Sequence, residues 1–279
     1  MAGLLAHHDS GAAILTLADS THGNTLTLEL LTELLEAIEN ALGSPEVRVI
    51  VLRSDGADFC LGMDLASFSS TVGVEGAGES ASSLYGAVLW TLFSGAKPVV
   101  TVIRGSVKAG GVGLAAASDA VLATPEARFQ LSEVYVGMIP ATVLPYLLAL
   151  RMPVQKARYL VLTAKEVDAE EARRLGLVDE LVPPEELEYA TRNVVRSLLR
   201  SSPEAIRKTK AFSAALMDMS FEERRRHARE TLEDLLADEG VIHGIDAYRA
   251  GELPEWFGTF KPDRPVSRPE EDAPNERMH

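Results

Sequence analysis

The chain has 279 residues, 46% hydrophobic and 24% charged, with 27 Lys and Arg against 41 Asp and Glu for a formal net charge of −14. That acidity excludes a chain-wide nucleic-acid surface, because phosphate backbones would be repelled. The single cysteine, Cys60, excludes an internal disulfide and a cysteine-rich zinc site. No apolar run has membrane-spanning length, and the first residues lack the basic and apolar regions of a signal peptide, so a cytoplasmic chain is expected.

In chain order, Ala12–Leu17 reads as a strand, and Thr27–Leu42 as an amphipathic helix with Leu31, Leu34, Leu35 and Ile38 at helical spacing. Val47–Arg53 is a β-branched buried strand, followed by a turn over Ser54–Asp58 and a loop with a short helix over Phe59–Phe68. Val72–Ser83, rich in Gly, Ser and Glu, reads as a mobile loop. Leu84–Ser94 is a helix, Pro98–Arg104 a strand, Ala109–Ser118 a helix and Ala120–Ala123 a strand. Alternating strands and helices imply an α/β fold with a mostly parallel sheet. Helices are then predicted over Ala141–Leu150, Val154–Leu162, Ala169–Leu175, Pro184–Ser201, Pro203–Met217 and Ser220–Ala237, with a short strand at Val178–Val182. Asp168 and Glu171 form a candidate capping box, and Gly176 a C-cap. Residues 1–200 are read as a core, 201–257 as a helical C-terminal region and 258–279 as a disordered tail. The arginines at 224–226 and 229 lie among glutamates and read as a solvated helix face.

The glycines of IRGSVKAGGVGLAAASDAVLA (Ile103–Ala123) match neither GxGxxG nor GxxxxGK[ST], because Lys108 precedes them. Three signals stand in order: DFCLGMDL at Asp58–Leu65, AGG at Ala109–Gly111, and FQLSEVYVGMIP at Phe129–Pro140. Together with Ala172…Gly176-Leu177-Val178-Asp179 they resemble the crotonase (enoyl-CoA hydratase/isomerase) superfamily. The resemblance implies a crotonase-type spiral of ββα units with a helical C-terminal region. It also implies a homotrimer or hexamer and an acyl thioester substrate, with no metal or separate cofactor. By that resemblance the backbone N–H groups of Met63 and Gly110 form an oxyanion hole for the thioester oxygen. Gly110 also opens a helix, where the dipole favours negative charge.

The resemblance assigns acid/base work to Glu133 and leaves Gly113 where hydratases carry a second glutamate. One carboxylate suffices for a syn elimination or a double-bond shift. The segment Leu65–Ser70 has no basic residue where CoA enzymes often place a lysine, which favours an acyl carrier protein over acyl-CoA. The AGG variant, Ser132-Glu133, Pro140…Pro145 and Gln155-Lys156-Ala157 are similar to the polyketide β-branching dehydratases. The function expected is therefore dehydration of a 3-hydroxyacyl thioester, 3-hydroxy-3-methylglutaryl on a carrier protein. The chain's acidity weighs against docking such a carrier through global charge. A single-glutamate isomerase or hydratase on acyl-CoA, and a non-catalytic scaffold of the same fold, remain the alternatives. Lys108, Tyr85 and Tyr135 are candidate substrate-binding residues. Cys60 reads as packing, Asp64 as a helix cap and His243 as a surface residue.

Overall fold

Ser10 and Gly11 take positive φ of 47° and 91°, the twist that a two-residue hairpin needs. They fold β1 (Leu4–Asp9) antiparallel onto β2 (Ala12–Leu17). Sequence reading missed β1, because LLAHHD is largely exposed and shows no alternation. The computed structural model describes residues 3–64 and 81–258. The loop predicted over Val72–Ser83, most of the short helix after Asp64 and the tail fall largely outside them.

The main sheet runs β1-β2-β3-β4-β6-β9, with β3 (Val49–Ser54), β4 (Val99–Ile103), β6 (Ala120–Ala123) and β9 (Glu180–Leu181) parallel to β2. Both faces are covered, as parallel sheets require. Val49, Val51, Val100, Val102 and Leu122 pack with Leu187, Val195 and Leu199 of α7 (Leu187–Arg200) on one side. Their neighbours Ile50, Leu52, Val99, Ile103 and Val121 pack with α1 (Leu28–Gly43) and α2 (Ala81–Ser94) on the other. The apolar run of β3 thus reads as continuous because it faces two layers.

A second sheet of three short strands, β5 (Ser106–Lys108), β7 (Arg128–Gln130) and β8 (Val167–Asp168), stands beside the first. None was visible in the sequence, since two or three residues carry no period. Between them come α3 (Gly110–Ala116) and α4 (Leu144–Tyr146), and α4 runs on into a π-turn at Leu147–Arg151. The helix predicted over Ala141–Leu150 is therefore short and widened, with Pro140 and Pro145 setting its start. Next come α5 (Val154–Thr163) and α6 (Ala169–Leu175), which closes on Gly176 in the left-handed conformation, as predicted.

The capping box at Asp168 is half made. Asp168 accepts from the Glu171 N–H, but the Glu171 carboxylate pairs with Lys165 Nζ at 2.8 Å instead. A complete box occurs at Ser220 and Glu223, opening α9 (Phe221–Ala237). The C-terminal region is α8 (Pro203–Ala215), α9 and α10 (Glu239–Ala250). The arginines of α9 are exposed and pair along the helix, Arg225 with Glu222 and Arg229 with Glu233. Among the described residues no helix is long and apolar enough to cross a membrane.

Arg151 ties the helical half to the main sheet. Its side chain is 5% exposed and lies 2.9 Å from Asp179 Oδ2, and it also donates to the Ser118 carbonyl beyond α3. Asp179 accepts in turn from the Val121 N–H at 2.7 Å. Asp179→Ala removes the charge partner of a largely buried guanidinium that keeps its bond to the Ser118 carbonyl, and should cost about 2 kcal/mol. Chemical denaturation checks this, and an unchanged midpoint would show that the pair is not needed.

Candidate active site

One row of backbone pairing gathers the site. Cys60 bridges Val107, Val107 pairs with Phe129, and Phe129 pairs with Val167. All four side chains are buried. Met63 lies three residues past Cys60, Gly110 three past Val107, and Glu133 four past Phe129. Offsets of three or four residues from one row bring the three segments to one cleft of about 260 Å³. Met63, Gly110 and Glu133 all line it, with Tyr85, Leu61, Ser132 and an apolar wall formed by Val136, Met138, Ile139 and Val143.

The loop carrying Met63 is pinned from behind. The amide of buried Asn24 donates to the carbonyls of Asp55 and Asp58 at 3.0 and 2.9 Å, and Asp58 Oδ1 accepts from the Ser106 N–H. Leu26 N–H donates to the Gly62 carbonyl and Asp64 N–H to the Leu26 carbonyl. The intervening Met63 therefore turns its own N–H away from Leu26. Gly62, at φ 96°, permits close approach: a Cβ there would stand 2.9 Å from Ala109 Cβ and 3.5 Å from Gly110 N. Among the described residues no backbone hydrogen bond uses the N–H of Met63 or of Gly110. Met63 and Gly110 thus bring to the walls of one cleft two N–H groups that no backbone acceptor takes among the described residues, the kind of donor pair an oxyanion needs.

The adjacent glycines divide their work. Gly111 packs, since a Cβ would come 2.5 Å from the Cys60 carbonyl, whereas Gly110 lines the cleft. The helix they open has seven residues, fewer than predicted over Ala109–Ser118. Ala109, just before it, is strained at φ 46° and ψ −114°, held by its N–H to the Gln130 carbonyl at 2.8 Å. The sequence carried this signal only as an alanine before two glycines.

Glu133 begins a 3₁₀ turn, Glu133–Val136, that ends on Gly137. Among the described residues its buried Oε2 has no hydrogen-bond partner. Burial pushes its carboxyl above the ordinary glutamate range, offset in part by its own backbone N–H. It is neither a solvated surface acid nor a structural ion pair. Tyr85 is 4% exposed and its hydroxyl donates to the Gly110 carbonyl at 2.7 Å. Burial first, then the charges of Cys60 and Glu133, hold its phenol well above the ordinary range, so it stays neutral.

The other candidates stand apart. Tyr135 is 70% exposed and does not line the cleft, so the structure corrects its assignment to the acyl pocket. It points outward because the 3₁₀ turn that sends Glu133 inward sends its second neighbour out. Lys108 lies on β5, outside the cleft walls; its N–H donates to the Cys60 carbonyl at 2.9 Å, and its side chain takes no hydrogen bond or ion pair among the described residues. His243 is exposed on α10. Cys60 is packing: it is buried and its thiol is pushed up to about 12 by burial. Among the described residues no cluster of His, Cys, Asp or Glu is placed to hold a metal ion. The apolar wall from Val136 to Val143 was not anticipated, because it forms only when the segment after Glu133 folds back past α2.

The sequence pattern of the enoyl-CoA hydratase/isomerase family matches residues 7–259. A carnitinyl-CoA dehydratase from Salmonella arizonae is 30% identical over 232 residues, covering 80% of this chain and 86% of that protein. The fold is similar to an enoyl-CoA hydratase from Shewanella pealeana, with a TM-score of 0.85 and 25% identity over 91% of this chain and 96% of that one. An enoyl-CoA hydratase from Mycobacterium smegmatis gives 0.81 and 26% over 91% and 98%.

Two stability outcomes follow from this geometry. Ala109→Gly removes backbone strain of about 1–3 kcal/mol against a glycine cost of about 0.5–1 kcal/mol. A net gain of about 1 kcal/mol is expected in denaturant melts, and a loss would show that the conformation is unstrained. Glu133 is raised on folding, so its contribution is intact below its unfolded pKa and is lost as pH rises through the folded value. Glu133→Gln should therefore melt higher than the wild type at neutral pH, with the two converging in acid below the ordinary glutamate pKa. Equal melting at every pH would contradict the buried, unpaired carboxylate.

Proposed function

The chain is an enzyme of the enoyl-CoA hydratase/isomerase family, and from that premise we propose that it eliminates water from a 3-hydroxyacyl thioester, or restores it, through a stabilised enolate. The thioester oxygen accepts from the N–H groups of Met63 and Gly110. Glu133 takes the proton from the α-carbon, and the electron pair moves onto the thioester oxygen. The enolate then collapses to the α,β-double bond as the β-hydroxyl departs, carrying the proton that Glu133 returns, as water. The observation that carries the reading is the buried, unpartnered oxygen of Glu133 in the cleft that Met63 and Gly110 also line. A carboxyl raised by burial suits a group that must both take and return a proton.

CoA is the carrier in this reading, supported by the CoA thioesters that the relatives are named for. The finer alternative is 3-hydroxy-3-methylglutaryl on an acyl carrier protein. It rests on the likeness of the AGG variant, Ser132-Glu133, Pro140…Pro145 and Gln155-Lys156-Ala157 to that branch and on the absence of a basic residue in Leu65–Ser70, which lies outside the described residues, and the net charge of −14 opposes it. A second chemistry, a double-bond shift by a single carboxylate, is favoured by Gly113, which offers no second acid. The homotrimer or hexamer belongs to the same reading, and the exposed Phe221, Leu232 and Tyr248 of the C-terminal helices support it.

Mass spectrometry on 3-hydroxyacyl thioesters of CoA and of a carrier protein tests the reading. The wild type should lose water on CoA, and Glu133→Gln should be slower by about 100-fold or more. The wild-type rate should fall as pH drops through a carboxyl pKa above the ordinary glutamate value. Undiminished water loss by the variant would remove Glu133 from the mechanism. Exchange of α-protons without water loss would select the double-bond shift, and no turnover on either carrier would select the scaffold.

A further inference from the structure

We propose that Tyr85 is the positioning residue of the oxyanion site, and that it occupies the place from which a second acid would project. The inference rests on the oxyanion reading of Gly110 given above. Tyr85 comes from the second turn of α2, 25 residues before Gly110. Two contacts set its position. A Cβ on Gly110 would touch Cζ and the hydroxyl of Tyr85 at 3.5 Å, so the ring lies against that glycine. The same hydroxyl donates to the Gly110 carbonyl at 2.7 Å. The first turn of α3 is therefore clamped by a neutral, buried phenol at Gly110, a residue that lines the cleft.

The second consequence concerns Gly113. A Cβ built there would lie 2.0 Å from the Tyr85 hydroxyl, closer than any real contact, with Val143 and Leu89 next at 3.0 and 3.2 Å. A side chain at 113 would force the buried Tyr85 ring to move off the Gly110 carbonyl. Without the hydroxyl, nothing stands nearer than 3.0 Å, a distance that small shifts of Val143 relieve. Tyr85 and Gly113 thus form an exclusive pair: the phenol that fixes the oxyanion turn also bars a carboxylate from position 113. The site is held to single-carboxylate chemistry by packing as well as by the residue at 113.

The clamp acts on the charge that develops at the thioester oxygen, so it belongs to kcat more than to KM. A spectroscopic probe separates this from a general structural role. A 4-aminocinnamoyl-CoA thioester absorbs at longer wavelength when its carbonyl is polarised by hydrogen bonds. The wild type should shift the bound probe to the red. Tyr85→Phe should bind it while losing most of that shift, and should lower kcat about tenfold with KM nearly unchanged. A full red shift with wild-type kcat in Tyr85→Phe would overturn the positioning role.

A wild type that leaves the probe unshifted would instead overturn the oxyanion reading, and the positioning role with it. A substrate-free arm tests the exclusive pair. Gly113→Ala should lower the melting temperature in the wild-type background and be tolerated in the Tyr85→Phe background. Equal effects in both backgrounds would overturn the pair.

Discussion

The short lateral pairing of Cys60, Val107 and Phe129 is the constraint on which the site depends. Each strand contributes only one to three residues to the row, so local propensity cannot create it. It forms because the buried side chains of Cys60, Val107 and Phe129 join the core that also holds the main sheet to α1 and α2. Hydrophobic burial supplies the free energy, and backbone hydrogen bonds supply the register. Register matters because a slip of one residue would reverse which groups face the cleft. With the row in register, two N–H donors and one carboxylate arrive together from segments separated by up to 70 residues, Met63 to Glu133.

That arrangement opposes local stability in two places. Glu133 keeps a carboxylate oxygen buried without a partner, and Ala109 keeps a positive φ that an L side chain resists. Both lie on the cleft, and Ala109 is held from behind, its N–H by the Gln130 carbonyl and the Gln130 amide by the Ala164 carbonyl at 2.9 Å. A rigid scaffold carrying small local strain at its site is the pattern expected where geometry serves chemistry. The apolar wall beside Glu133 keeps its carboxyl raised, whereas Asp179, equally near a buried region, is ionically paired with Arg151 and bonded to backbone. Two carboxylates in one chain thus differ because one is ion-paired and the other, among the described residues, keeps a buried oxygen without a partner.

Long elements were legible in the sequence. The helix after Thr27, the strands at 49–54 and 99–103 and the C-cap at Gly176 follow from periodicity, β-branching and glycine alone. Elements of two or three residues were not, because β5, β7 and β8 have no pattern and exist only by pairing. Glu133, Met63 and Gly110 were found through motif resemblance, since nothing in their local sequence says that three loops meet. Tyr135 and Tyr85 show the limit of such reading. Both are isolated tyrosines, yet one is exposed outside the cleft and the other is buried against Gly110.

Residue identity and order alone carry the fold class, the family and the absence of an acid at 113. Tertiary structure decided which polar groups are left without partners, which glycine packs and which lines the cleft, and that a tyrosine hydroxyl stands where a side chain at 113 would begin. Those are properties of distance between segments remote in the chain. Distance is settled only when the buried row and the two-layered sheet close together.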